Sequence, residues 1–274
     1  MTPDDHLVSV AETIEAESLL AYVNGAPDHI RHQLGSAGAR IAGGVAVGMR
    51  SDRSGFWTRT VGLGVTTPVT AAVLDEVVAF YRSEGIQQAS LQIAPSLLPP
   101  DWDELAARHG LLAGRTWVKL GAQVEEIGPA STELLVGPLP KADFAPWATV
   151  ILHSFGMPTA GMTEMMCAAA SQPAYLPFGA WYGDAIVGGG NLFVHGRDGL
   201  LSGAGIDPAY RGRGAQSALI SARARAARQA GCRRLFAETG MPAGGATNPS
   251  LNNLRRLGLQ DLYLRQNWAW RDSH

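Results

Sequence analysis

The stretch Ile206-Asp207-Pro208-Ala209-Tyr210-Arg211-Gly212-Arg213-Gly214-Ala215-Gln216 joins two segments of opposite periodicity. Before it, Gly199–Ile206 is an apolar, glycine-bearing run that reads as a strand. After it, Ala215–Ala230 reads as a helix: Ala215, Ala218, Leu219, Ala222 and Ala226 share one face, with Ser217, Ser221 and Arg228 opposite, and Gly231 stops it. The glycines at 212 and 214 let the backbone turn sharply and come close to a ligand. The first turn of the helix offers unpaired N–H groups and the positive end of the helix dipole. Such a turn suits an anion, and Arg211 and Arg213 add permanent charge. It is neither a Walker loop, since Gly-Lys-Ser/Thr is absent, nor a dinucleotide fingerprint, since the glycine spacing differs.

Working outward, the second half of the chain reads β-β-α-β-α-β. Ala185–Val194 and Gly199–Ile206 are followed by the helix, then Leu235–Thr239, a short helix Pro249–Leu257, and Leu262–Ala269. The first half repeats the order with Gly43–Met49, Trp57–Val65, a helix Thr70–Ser83, Gln88–Ala94, a short helix Trp102–His109, and Arg115–Leu120. Helices also lead each half, roughly Ile14–Val23 in the first and Ala142–Phe155 and Gly161–Ser171 in the second. The copies differ at one turn. Gly64 to Gly85 is 21 positions, whereas Gly205 to Gly231 is 26, so the second copy carries five extra residues, rich in Gly and Arg. An insertion at one strand-to-helix turn of a duplicated scaffold is where chemistry is expected. The linker falls within Glu125–Thr132, giving domains 1–128 and 129–274.

The 274 residues are ample for a core without disulfide or metal staples. Two cysteines, Cys167 and Cys232, make neither a disulfide framework nor a zinc site, so no metal is expected. A net charge of −2 gives no basis for nucleic-acid binding. The long uncharged stretch Met165–Gly183 contains Ser171, Gln172, Pro173 and Pro177 and cannot cross a bilayer as an apolar helix. The acidic start Met1-Thr2-Pro3-Asp4-Asp5 lacks the blocks of a signal peptide, so the expected compartment is the cytoplasm, with no membrane partner.

Residues ~134–270 resemble the GNAT superfamily of acyl-CoA-dependent N-acetyltransferases, whose signature is Gln/Arg-x-x-Gly-x-Gly/Ala at the head of a helix, after a Pro-x-Tyr-Arg-Gly segment. Pro208, Tyr210, Arg211, Gly212 and Gly214 match, while Gln216 stands where the family has glycine or alanine. The resemblance implies an α/β protein of two tandem GNAT-like domains, each a mixed, mostly antiparallel sheet flanked by helices, with a degenerate N-terminal copy. It implies acetyl-CoA as cosubstrate, the diphosphate on Arg211, Gly212, Arg213, Gly214, Ala215 and Gln216, and pantetheine along Ala204, Gly205 and Ile206. Asn248 and Asn253 fall near further CoA positions; Asn248 equally reads as an N-cap before Pro249.

Acyl transfer to an amine needs a base, donors for the oxyanion and a way for the thiolate to leave. Glu238, on the strand beside the pantetheine strand, is the candidate base; the alternative is a carboxylate paired with Arg233 or Arg234. His153 and His195 are rivals, and a water chain is another route. The family's usual tyrosine acid is replaced by Leu254, leaving Tyr263 as the substitute or as a structural residue. The expected activity is direct transfer of an acetyl group to a primary amine of a small molecule or peptide, by a monomer or homodimer. The alternative is a non-catalytic acyl-CoA-binding sensor or interaction module.

Overall fold

The structure, a computed structural model, describes residues 3–244 and 246–272. In chain order the elements are α1 (Pro3–Asn24), α2 (Asp28–Leu34), β1 (Ser36–Ile41), β2 (Gly44–Met49), β3 (Arg59–Val61), α3 (Ala71–Ser83), β4 (Gln88–Gln92), α4 (Trp102–Arg108) and β5 (Leu112–Gln123). They continue with β6 (Leu135–Pro138), α5 (Phe144–Ser154), α6 (Met162–Ala170), β7 (Tyr175–Tyr182), β8 (Ala185–His195), β9 (Asp198–Ile206), α7 (Ala215–Gln229), β10 (Arg234–Gly240), α8 (Pro249–Arg256) and β11 (Gln260–Arg271). Two compact units result, and they are not simple halves of the chain. Met1–Val118 with Tyr263–His274 form one, and Lys119–Leu262 the other.

In the first unit β1-β2-β3-β4-β11 lie in that order. β1–β2, β2–β3 and β4–β11 are antiparallel, and β3–β4 is parallel. The last strand of the chain therefore completes the sheet of the first unit, with Trp268 opposite Leu91 and Asn267 opposite Gln92. α3 buries Val73, Leu74, Val77 and Tyr81 against this sheet, and the Thr70 side chain caps it by accepting the Val73 N–H. The strand expected over Trp57–Val65 is only Arg59–Val61. The Asp52 carboxylate takes the N–H groups of Trp57 and Thr58 at 2.7 and 3.0 Å, and Gly62 and Gly64 turn the backbone at φ +77° and +87°.

Tyr81 is fully buried and shares a 2.8 Å hydrogen bond with Thr60 Oγ1. Burial raises its pKa above the ordinary phenol value of about 10. The folded protein thus keeps a proton that the unfolded chain releases above that pH. The stability this group confers is complete below pH ~10 and declines as pH rises through the folded value. Tyr81→Phe is expected to cost about 1 kcal/mol at pH 7. The gap from wild type should then narrow above pH ~10, read from urea midpoints; a gap constant through the alkaline range would contradict this.

In the second unit the order is β10-β9-β8-β7-β6. β6–β7, β7–β8 and β8–β9 are antiparallel, and β9–β10 is parallel. Val187, Ile206, Ala215, Leu219 and Ala222 form part of one core cluster, and α5 packs on β8 and β9. β6 and β7 had no counterpart in the sequence pattern. Tyr175–Tyr182 carries Pro177 and Gly179 and buries consecutive residues, which hides the period of two.

Candidate functional site

β9 is bounded differently on its two edges. On one side β8 accompanies it to Ile206, opposite Gly188, with a register shift between Gly189 and Asn191 that faces Gly203, at φ +57°. On the other side the ladder with β10 runs only from Asp198↔Arg234 to Leu201↔Ala237. Both strands continue, β9 to Ile206 and β10 to Gly240. Beyond that ladder the β9 edge at Ala204–Ile206 is available to an extended ligand backbone. Gly205 lets α5 pack closely on β9: a Cβ there would lie 2.1 Å from Ser154 Oγ, which would have to turn away. Glu238 is the first β10 residue past the ladder.

At the end of β9 the chain makes one short 3-10 turn, Pro208–Tyr210, capped by the Asp207 carboxylate accepting the Ala209 N–H. Gly212 and Gly214 then both take φ +78°. A Cβ on Gly214 would meet Ser131 O at 2.9 Å, whereas one on Gly212 would meet nothing within 4 Å. Gly214 is the N-cap of α7 and brings no side chain to the helix end, and the N–H groups of a first turn have no partner within their own helix. This cradle has the open backbone donors and dipole that a diphosphate requires.

The two loop arginines have other partners. Arg211 donates from Nε to Ile206 O at 3.1 Å and from Nη2 to Ser154 O at 3.2 Å, pinning the end of α5 to the turn. Arg213 pairs with Glu133 at 2.8 Å and lies over the rings of Tyr182 and Tyr210. Thr132 Oγ1 donates to Arg213 O, so the chain before β6 buttresses the turn. Ala215 is buried at the head of α7. Gln216 turns away to α8, where its amide donates to Ser250 Oγ at 2.9 Å and its carbonyl accepts from Asn253 at 2.6 Å. Asn248 is the N-cap of α8, accepting from Ser250 and Leu251 N–H, while its amide ties the helix to Thr239 Oγ1 and Gly240 O.

Glu238, with 12% of its side chain exposed, lies 3.7 Å from the ammonium of Lys119, which is fully buried. Arg234 is held by Asp198 at 2.7 Å. Sequence reasoning missed Lys119, although it is one of only two lysines in the chain. Tyr263 belongs to the first unit, where its hydroxyl donates to Glu12 Oε1 at 2.6 Å, and burial followed by the Glu12 charge raises its pKa well above the usual range. Of the histidine rivals, His153 is exposed at the end of α5, one residue from the carbonyl that holds Arg211. His195 is opposite Asp198, eight residues and roughly 25 Å along the strand from Ile206. Burial raises the thiol pKa of both Cys167 and Cys232, opposite to what an activated nucleophile needs.

Among the described residues, no helix is long and apolar enough to cross a membrane. No curated protein matches the chain. Among solved structures, a GCN5-related N-acetyltransferase from Kribbella flavida is similar at 13% identity, covering 90% of this chain and 95% of that one, with a TM-score of 0.61. Another GCN5-related N-acetyltransferase, from Sphaerobacter thermophilus, matches at 14% identity over 83% of this chain and 72% of its own, with a TM-score of 0.58. A tandem GNAT protein from the clavulanic acid biosynthesis pathway matches at 14% identity over 95% of each chain, with a TM-score of 0.57. At these identities the likeness is one of fold, and it agrees with two GNAT-like domains of mixed, mostly antiparallel sheet. Residues 146–248, which include β9, its turn and α7, match the Acetyltransferase (GNAT) family, so the second unit carries a domain of that acetyltransferase family.

Proposed function

We propose that the second unit binds acetyl-CoA and passes its acetyl group directly to a primary amine of a small molecule or peptide. The observation that carries this is the Gly212–Gly214 turn, with both glycines at φ +78°, feeding an uncapped α7 beside a strand pair that parts after Leu201. The backbone N–H groups of Gly214, Ala215 and Gln216 hold the diphosphate, and the free edge of β9 at Ala204–Ile206 holds pantetheine. The thioester carbon then lies between β9 and β10, next to Glu238. The amine must be neutral to attack, and Glu238 takes its proton, directly or through water. A C–N bond forms, the C–S bond breaks, and the thiolate takes a proton from solvent. The Tyr263 proton is shared with Glu12, which argues against that phenol as the acid. The units 1–128 and 129–274 of the sequence repeat are read as the duplicated copies, the second being active.

Titration of acetyl-CoA followed by free-thiol release across a panel of primary amines tests this. Glu238→Gln is expected to leave acetyl-CoA affinity unchanged and to lower kcat about 100-fold. Equal turnover by wild type and variant would remove Glu238 from the mechanism. One observation favours the sensor reading: Leu254, where the family has its acid, is a buried side chain of α8. Stoichiometric binding without thiol release above hydrolysis would establish that reading instead.

A further inference from the structure

We propose that Arg256 is a phosphate-binding residue of the acetyl-CoA site; this rests on the diphosphate reading of the α7 turn. Arg256 belongs to the last turn of α8, yet its guanidinium reaches α7. Nη2 donates to Ser217 Oγ at 3.0 Å and to Asn253 Oδ1 at 2.7 Å. Ser217 is the third residue of α7, and helix side chains lean toward the N-terminus, so its hydroxyl and the guanidinium on it lie over the first turn.

A relay of amides holds the arginine there. Asn253 donates to Gln216, and Gln216 donates to Ser250. This also explains Gln216 at a position where the family has a small residue. Its side chain runs sideways to α8 and helps fix a cation.

Charge makes the placement informative. Arg255 pairs with Asp261, Arg213 with Glu133 and Arg234 with Asp198. Among the described residues Arg256 has only the neutral oxygens of Ser217 and Asn253 as acceptors. A guanidinium is always charged, and the N-terminal end of a helix repels it. Arg256 is exposed, and the C-terminal end of α8 holds its charge while the head of α7 opposes it, so the guanidinium stands open to an anion arriving at that turn. Acetyl-CoA brings two sources of one chemistry, the diphosphate and the 3′-phosphate. Arg213 is paired with Glu133 and Arg211 is tied to two backbone carbonyls, Ile206 O and Ser154 O, so Arg256 is a further basic side chain, from a separate helix, placed to meet them.

The test is calorimetric titration of acetyl-CoA, acetyl-dephospho-CoA and acetyl-pantetheine into wild type, Arg256→Gln, Arg256→Lys and Arg255→Gln, with the Tm of each. Arg256→Gln is expected to weaken acetyl-CoA about tenfold or more, with acetyl-pantetheine, which has no phosphate, unchanged. Arg256→Lys should recover part of the loss, and Arg255→Gln should match wild type. A loss that vanishes with acetyl-dephospho-CoA assigns the contact to the 3′-phosphate; one that persists assigns it to the diphosphate. Wild-type affinity for acetyl-CoA in Arg256→Gln overturns the proposal. An equal loss for acetyl-pantetheine overturns it too, by showing a structural effect. Failure of wild type to bind any of the three overturns the acetyl-CoA reading itself, a result distinct from either.

Discussion

Gly214→Asp is expected to lower acetyl-CoA affinity at least about 100-fold, to below the reach of calorimetry if the wild-type Kd is in the micromolar range. Three effects act together. Gly214 has φ +78°, a region that costs an L-residue about 1 kcal/mol, although aspartate tolerates it better than most. A Cβ would press on Ser131 O at 2.9 Å, and that oxygen is backbone, so the turn itself must shift. The new carboxylate would then stand at the N-cap of α7, where it can bond to the N–H groups that the diphosphate needs and repel the phosphate charge. The last effect dominates. It also gives the variant a telling signature, because an aspartate N-cap offsets part of the strain in Tm while removing binding. Gly212→Ala is the control for strain alone: it has the same φ, with open space around the added methyl, and should weaken binding only a few-fold. Binding of acetyl-CoA to Gly214→Asp within threefold of wild type would show that the diphosphate is held elsewhere.

The turn was legible in the sequence because its geometry is written in backbone. Glycines at 212 and 214 between a strand and a helix have few other uses, and the five-residue difference between the repeats marked the place. What the loop arginines do was not legible. A charge beside a phosphate site reads as a ligand until the fold supplies competitors. Here the competitors are Ser154 O, 57 residues from Arg211 in sequence, and Glu133, 80 from Arg213. Arg256 was invisible for the converse reason: its partners Ser217 and Asn253 are ordinary polar residues, and only the packing of α8 on α7 gives the arginine a position. Asn248 followed the local rule, as an N-cap before proline. β1, β6 and β7 escaped because short or proline-bearing strands carry little alternation. The last strand was found in sequence, but its place in the first unit's sheet depends on pairing with β4, which no local pattern encodes.

That strand brings the largest stability effect in the chain. Arg265→Met is expected to destabilise the first unit by about 3–5 kcal/mol in urea or thermal unfolding. On β11, Arg265 has a side chain only 1% exposed and donates to Glu12 at 2.8 Å, to Glu15 at 2.8 and 2.9 Å, and to Gln92 at 3.1 Å. Both glutamates come from α1 and are buried, and Arg59 adds a second cation 3.8 Å from Glu15. Two carboxylates and two guanidiniums balance, so removing one cation leaves a buried negative charge that must be neutralised or hydrated. The repeat sets this cluster beside its counterpart in the other copy. Residues 92 and 238 are 146 apart, as are 119 and 265, and each strand pair brings a basic side chain to its partner: Arg265 to Gln92, Lys119 to Glu238. In the second unit the partner is a carboxylate at the open end of a strand pair, whereas α5 carries no acid. In the first unit α1 supplies the acids, a neutral glutamine suffices at 92, and β3 and β4 remain paired at that level through Val61↔Gln92. The position that could serve proton transfer in one copy is thus a buried neutral glutamine beside the charge cluster in the other. Glu12→Leu in the Arg265→Met background, which leaves Glu15 with Arg59, should recover most of the loss, because well-packed apolar replacements of buried ion pairs are often near neutral. A loss under 1 kcal/mol in the single variant, or no recovery in the double, would show that the cluster is hydrated and that its charges do not hold β11 in place.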